Sequence, residues 1–132
     1  LHIDKGNHFL SQKRKFILED WELDFEWLAV RHRVKERLKH ENLPDLNAIL
    51  MLIGVQELGK WRRFTKEEKQ DLMHIGVCRL LSQEGFFVFD ERDAEGWPHF
   101  SAIKPFPIKG EKEQERYLKI QVIQYFKDLD KS

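Results

Sequence analysis

Asp71, His74 and Cys78 follow one another at spacings of three and four residues, so on a helix their side chains share one face. A carboxylate and an imidazole from one helix, joined by a carboxylate from a neighbouring helix, is how divalent-metal sites in helical bundles are assembled. Glu57, near the end of the preceding apolar segment, is the candidate third ligand, and His99 could complete the set. A metal-dependent enzyme using Glu57, Asp71 and His74 is therefore one reading of the chain. A divalent metal is the only cofactor that any reading implies. Against it, a catalytic zinc centre needs three protein ligands in fixed geometry, and the HExxH spacing is absent. The simpler account makes His74 a boundary histidine and Asp71 a solvated charge. Asp90, Asp93 and Glu95 before Gly96 loosely resemble a calcium loop, but the twelfth position from Asp90 is Ser101 rather than the glutamate such a loop requires. A polar turn explains them better.

A second chemistry is anion binding. Trp61-Arg62-Arg63-Phe64 interleaves bases with aromatics, and Lys60 and the run Arg31–Lys39 add further cations. A nucleic-acid accessory domain would use that surface. Five acids at Glu19, Asp20, Glu22, Asp24 and Glu26 weigh against it, and no recognition motif for DNA or RNA is present. Lys+Arg and Asp+Glu balance at 23 each, so no net basic field exists to hold a polyanion. A salt-bridged surface is the plainer reading. Nucleophilic chemistry has no support: no Gly-x-Gly occurs, the serines lack a nucleophile elbow, and Cys78 falls in an apolar-rich segment where a thiol packs inertly. His2, His8, His32 and His40 read as surface residues.

A third possibility lies in aromatic excess. Phe86, Phe87, Phe89, Trp97, Phe100 and Phe106 crowd one short stretch. Alternate residues of a strand face opposite sides, so a small hairpin cannot cover all of them itself. Aromatics left exposed would form a dimer or partner surface. Phe87, Trp97, His99 and Phe100 are the expected contact residues. The leading expectation is accordingly a small soluble domain without catalysis, acting by self-association as a homodimer or by binding another protein.

The elements that must carry these residues can be read from periodicity. Asp20–Glu41 carries Leu23, Trp27, Val30, Val34 and Leu38 at helical spacing, although Trp21, Leu23, Phe25 and Trp27 also alternate with strand period. Acids at its start and bases at its end suit a helix dipole, so a helix is expected. Asn42–Asp45 breaks the chain, and Asp45 can cap Leu46–Leu58, a helix apolar nearly all round and hence central. Thr65 and Glu68 match a capping box opening a helix that runs to about Glu84, with Gly85 as its stop and Met73, Gly76, Val77, Leu80 and Leu81 as its apolar face. Phe86–Phe89 and Trp97–Ile103 predict two strands joined by Asp90–Gly96, with Pro98 limiting the second to an edge. Glu111–Leu129 predicts a last helix with Leu118, Val122, Tyr125 and Leu129 in one stripe.

This layout predicts an α+β fold, predominantly α-helical, with about four helices and a small antiparallel β-hairpin between the third and the fourth. Its 132 residues make one domain of ordinary size, with residues 1–15 as a possible N-terminal arm. A single cysteine excludes an internal disulfide, and the polar start (His2, Asp4, Lys5, His8) lacks a signal-peptide core, so a cytoplasmic location is expected. The longest apolar run, Leu46–Val55, spans roughly half a bilayer, so no membrane crossing is expected.

Overall fold

The computed structural model describes residues 19–131. The chain forms α1 (Asp20–Leu38), α2 (Leu46–Leu58), α3 (Lys66–Ser82), β1 (Phe87–Arg92), β2 (Pro98–Ala102) and α4 (Glu111–Asp130). The fold is thus α+β and mainly helical, with an antiparallel hairpin between the third and fourth helices. The predicted arm, residues 1–15, lies outside the described residues.

The apolar periphery of α2 dictates the packing. Ile49, Leu50, Leu52, Ile53, Val55 and Leu58 are all buried, so neighbours must surround the axis. Asp45 opens the helix by accepting the Ala48 N–H at 2.9 Å. Gly59 closes it in the left-handed region (φ 79°), its N–H donating to the Val55 carbonyl at 2.8 Å. The other helices supply the cover. Leu23, Trp27, Val30 and Val34 of α1 join Ile120, Val122, Ile123 and Phe126 of α4 in one cluster with α2 and Leu80 of α3.

Helices α2 and α3 touch backbone to backbone. A Cβ on Gly54 would overlap the Leu72 carbonyl oxygen, and a Cβ on Gly76 would overlap that of Leu50. The two contacts are reciprocal: Leu50 and Gly54 on one helix face Gly76 and Leu72 on the other. Equal spacing run in opposite senses means that the helices are antiparallel.

The expected elements hold, with shifts that have local causes. Helix α1 ends at Leu38 rather than Glu41, because Lys39 turns left-handed (φ 55°) and the N–H groups of Lys39 and His40 close back on Glu36 and Lys35. Helix α3 stops at Ser82, two residues early, where Gln83, Glu84 and Gly85 tighten into three-residue turns. On α3, Leu72, Ile75 and Cys78 are buried, whereas the predicted face residues Met73 and Val77 are only half-buried. Strand β1 begins at Phe87 and extends to Arg92, because Phe86 instead turns onto Phe106 and Tyr117. The hairpin pairs Phe87 with Ala102 and Phe89 with Phe100, and a bulge at Asp90 separates these from the pairs Glu91–His99 and Arg92–Pro98. On α4 the predicted stripe is too narrow. Val122 and Tyr125 are buried and Leu118 half-buried, but Leu129 is exposed. The helix is packed from two sides, by α1 and α3, which also buries Tyr117, Ile120, Ile123 and Phe126.

Two consequences are measurable by urea denaturation. Ile49→Ala empties a fully buried site and should cost roughly 2–5 kcal/mol. Gly54→Ala and Gly76→Ala each gain up to about 1 kcal/mol of helix propensity, yet each must push two backbones apart, so a net loss of roughly 1–3 kcal/mol is expected. A gain in stability at either glycine would mean that the helices are not in backbone contact.

Candidate functional site

An open cleft of about 490 Å³ lies between α3 and the hairpin. The capping box sets the start of α3: Thr65 Oγ1 accepts the Glu68 N–H at 3.1 Å, and Glu68 Oε1 accepts the Thr65 N–H at 2.9 Å. From that start the helix presents Glu68, Asp71, His74 and Cys78 to one wall. The opposite wall comes from the hairpin turn, organised by one carboxylate. Asp93 Oδ1 accepts the N–H groups of Glu95 and Trp97, both at 2.9 Å. Its other oxygen lies 3.0 Å from His99 Nε2. Trp97 packs edge-on against Phe64, and Pro98 is buried behind it. The connection is therefore a five-residue turn built on Asp93, shorter than the predicted seven.

The electrostatics of the cleft are self-contained. The bond to His99, followed by the N–H of Trp97, holds the Asp93 carboxyl below the usual carboxylate range. Arg62, bound through both nitrogens at 3.2 and 2.8 Å, together with the Thr65 N–H, lowers the Glu68 carboxyl to about 2. Cys78 Sγ stands 3.6 Å from His74 Nε2, but burial pushes the thiol up, the opposite of what a thiolate nucleophile needs.

The residues foreseen for metal binding divide between two places. Asp71 and His74 share the cleft, and His99 lies in its far wall. Glu57 is elsewhere: it accepts the Tyr125 hydroxyl at 3.0 Å and pairs with Arg79 at 3.3 Å. Among the described residues no group of three His, Cys, Asp or Glu side chains is placed to hold a metal ion. Part of the foreseen basic surface is likewise engaged. Lys60 donates to the Glu95 carbonyl, Arg62 is bound by Glu68 over the Phe64 ring, Arg31 donates to the Pro44 carbonyl, and Arg33 forms a two-pronged pair with Asp130.

Of the aromatic contact residues, Phe87, Trp97 and Phe100 are half-buried and His99 is exposed. Phe89 is more open than any of the three aromatics, beside the exposed Val88 and Ile103. The most exposed large apolar side chains with a common face lie on α1. Trp21 and Phe25 are each 71% exposed, and Leu28 is 43% exposed. With His32 they form a stripe at i, i+4, i+7 and i+11, opposite the buried Leu23, Trp27, Val30 and Val34. A shallow groove of about 240 Å³ runs beside the stripe between α1 and α4, bordered by Phe25, Ala29, Arg33 and Phe126. The sequence reading missed this stripe, although its signal was visible. Alternation at Trp21, Leu23, Phe25 and Trp27, placed on a helix, sends the first and third residues to one face and the second and fourth to the other.

No family model matches the chain, and neither a curated protein nor a solved structure is significantly similar to it.

The Asp93–His99 bond makes a pH prediction. Because the folded Asp93 carboxyl titrates below its unfolded value, its contribution to stability is present above the unfolded value of about 3.8 and is lost as pH falls through the folded one. In a carboxyl-carbon NMR titration the Asp93 midpoint should lie below 3.8 and rise towards it in His99→Ala. An unchanged midpoint would remove His99 as the cause.

Proposed function

We propose that this domain is not a catalyst and acts by binding protein through exposed aromatic side chains. One observation carries the reading: Trp21 and Phe25 stand 71% exposed on a helix whose opposite face is already in the core. Such rings bring roughly 150–250 Å² of surface each, and covering apolar surface yields roughly 25 cal/mol per Å². A contiguous stripe of this kind, flanked by charges, fits the anatomy of an association surface with an apolar centre and a polar rim. The hairpin offers a second surface of the same character. Val88, Phe89 and Ile103 are exposed there, next to Phe87, Trp97, His99 and Phe100. The partner is a protein, either a second copy or another chain. The cytoplasm is the proposed site of action, in keeping with Cys78 as a free thiol. Among the described residues no helix is long and apolar enough to cross a membrane.

The metal-dependent alternative retains Asp71 and His74 in one cleft but draws no third ligand from Glu57, which Arg79 and Tyr125 engage. The nucleic-acid reading would draw on cations of which Lys60, Arg62, Arg31 and Arg33 are already engaged within the chain.

A photo-cross-linking amino acid in place of Phe25, compared with one in place of Lys69 on the exposed side of α3, tests the reading in cells producing the protein. A discrete adduct from position 25, absent from position 69 and competed by unmodified protein, is expected. Mass spectrometry then identifies the partner. Equal or absent labelling at both positions would refute binding through α1.

A further inference from the structure

We propose that the protein seated on α1 is a second copy of this chain, docked antiparallel across a two-fold axis, with the partner's Trp21 laid beside Ala29 and Arg33. This rests on the protein-binding reading above and names its partner. Three features of α1 point to it.

The first is the order of charge along the helix. Asp20 and Asp24 flank the stripe near its start, and Arg31 and Lys35 flank it on the same side near its end. On a helical wheel these four residues lie on one shoulder of the line Trp21–Phe25–Leu28–His32. A parallel pair of such helices would set acid against acid and base against base. An antiparallel pair related by a two-fold axis brings each shoulder against its own counterpart in reverse, so acids meet bases twice. Charges on both shoulders already have partners within the chain: Asp20 lies 3.8 Å from Arg116 and Arg31 donates to the Pro44 carbonyl on the first, and Glu26 contacts Lys127 and Arg33 is held by Asp130 on the other. The chain carries no net charge, so no long-range repulsion opposes the approach of a second copy.

The second is self-complementary shape. When Leu28 packs against the partner's Phe25, the two-fold relation places the partner's Trp21 opposite His32. Ala29 lies one turn away on the groove side. There the small side chain of Ala29 opens onto the groove of about 240 Å³ bordered by Phe25, Arg33 and Phe126. An indole fits there with its flat face on apolar surface and its edge near a guanidinium.

The third is area. The two copies together present four rings of roughly 150–250 Å² each, most of it uncovered. Leu28, His32 and the charged shoulders supply the remainder of an interface near the lower limit for a specific complex, about 1,200 Å². The dimer is therefore expected to be reversible, in the micromolar range.

The test is sedimentation equilibrium of the full 132-residue chain over roughly 1–200 µM, a range that brackets a micromolar dissociation constant. A monomer–dimer equilibrium is expected. Trp21→Glu and Phe25→Glu, both at exposed positions, should each weaken it by about tenfold or more while leaving the thermal midpoint of the monomer unchanged. Asp20→Lys and Lys35→Glu, which the register sets against each other, should each weaken it several-fold. An equimolar mixture of those two variants should recover the wild-type affinity, because only the antiparallel heterodimer restores both ion pairs. A chain that stays monomeric throughout overturns the proposal. If position 25 still cross-links another protein, or residues 1–18 of its own chain, the second copy is excluded and only the former keeps the protein-binding reading. If nothing is cross-linked, both readings fall. A dimer that survives Trp21→Glu and Phe25→Glu but is lost in Phe89→Glu places the interface on the hairpin and also overturns the proposal. Failure of the mixed variants to recover affinity rejects the antiparallel arrangement.

Discussion

Everything in this fold is arranged around the backbone contact between α2 and α3. Gly54 and Gly76 remove the side chains that would hold the two axes apart, and each lets the partner helix's carbonyl approach where a Cβ would stand. The gain is dispersion over two long surfaces at close range. The cost is that neither helix can rotate or slide without driving Leu50 or Leu72 into the other backbone. A helix as apolar as α2 could otherwise settle in many orientations, since almost any face could be turned inward. The reciprocal glycines select one. Once α3 is fixed on that side, the rest of α2 must be covered by α1 and α4, and their inner faces assemble into the same cluster.

The hairpin inherits its position from this pair. Two strands have too little apolar face to stand alone and need a helix behind them. Arg92 reaches from β1 to the end of α2, donating to the Glu57 carbonyl at 2.6 Å and to the Gly96 carbonyl of its own turn at 2.9 Å. The guanidinium thus satisfies a last-turn carbonyl that has no partner within the helix. Lys60 donates to the Glu95 carbonyl from the neighbouring loop at 3.0 Å. On the other side, fully buried Gln121 accepts the Gln83 amide at 2.8 Å and donates to Glu84 at 3.3 Å, tying the end of α3 to α4. The cleft between α3 and the hairpin is the space these ties leave open.

The legible features were those encoded locally. Asp45 and Thr65 act on amides three residues away, so capping could be read without knowing the fold. The extent of α2 and the place of the hairpin followed from runs of apolar residues and glycines. What escaped depends on neighbours distant in sequence. Leu129 lies on the predicted stripe of α4 but is exposed, because α1 and α3 set which faces of that helix are covered. Glu57 lies on the helix packed against α3, as foreseen, yet Arg79 and Tyr125 reach it first, and only the tertiary arrangement reveals that competition. Asp93 was read as turn material. Its role in ordering the turn and holding His99 depends on the Glu95 and Trp97 amides folding back onto it.

The two surfaces that could serve function differ in how far the protein satisfies them itself. In the cleft, Glu68 is bound by Arg62 and by the Thr65 amide, and Asp93 by His99 and two amides. Any ligand taking these groups must first break charge-assisted bonds that already exist, and recovers only the difference. The α1 stripe has no such internal competitor among the described residues. Trp21 and Phe25 give up only water when covered, so the whole transfer term is available to a partner. Its specificity must come from elsewhere, since apolar contact alone discriminates little. The charged shoulders can supply it by rewarding one orientation and penalising the other. A helix that is acidic at one end, basic at the other and apolar between them is better matched to its own reversed copy than to a surface of a single sign.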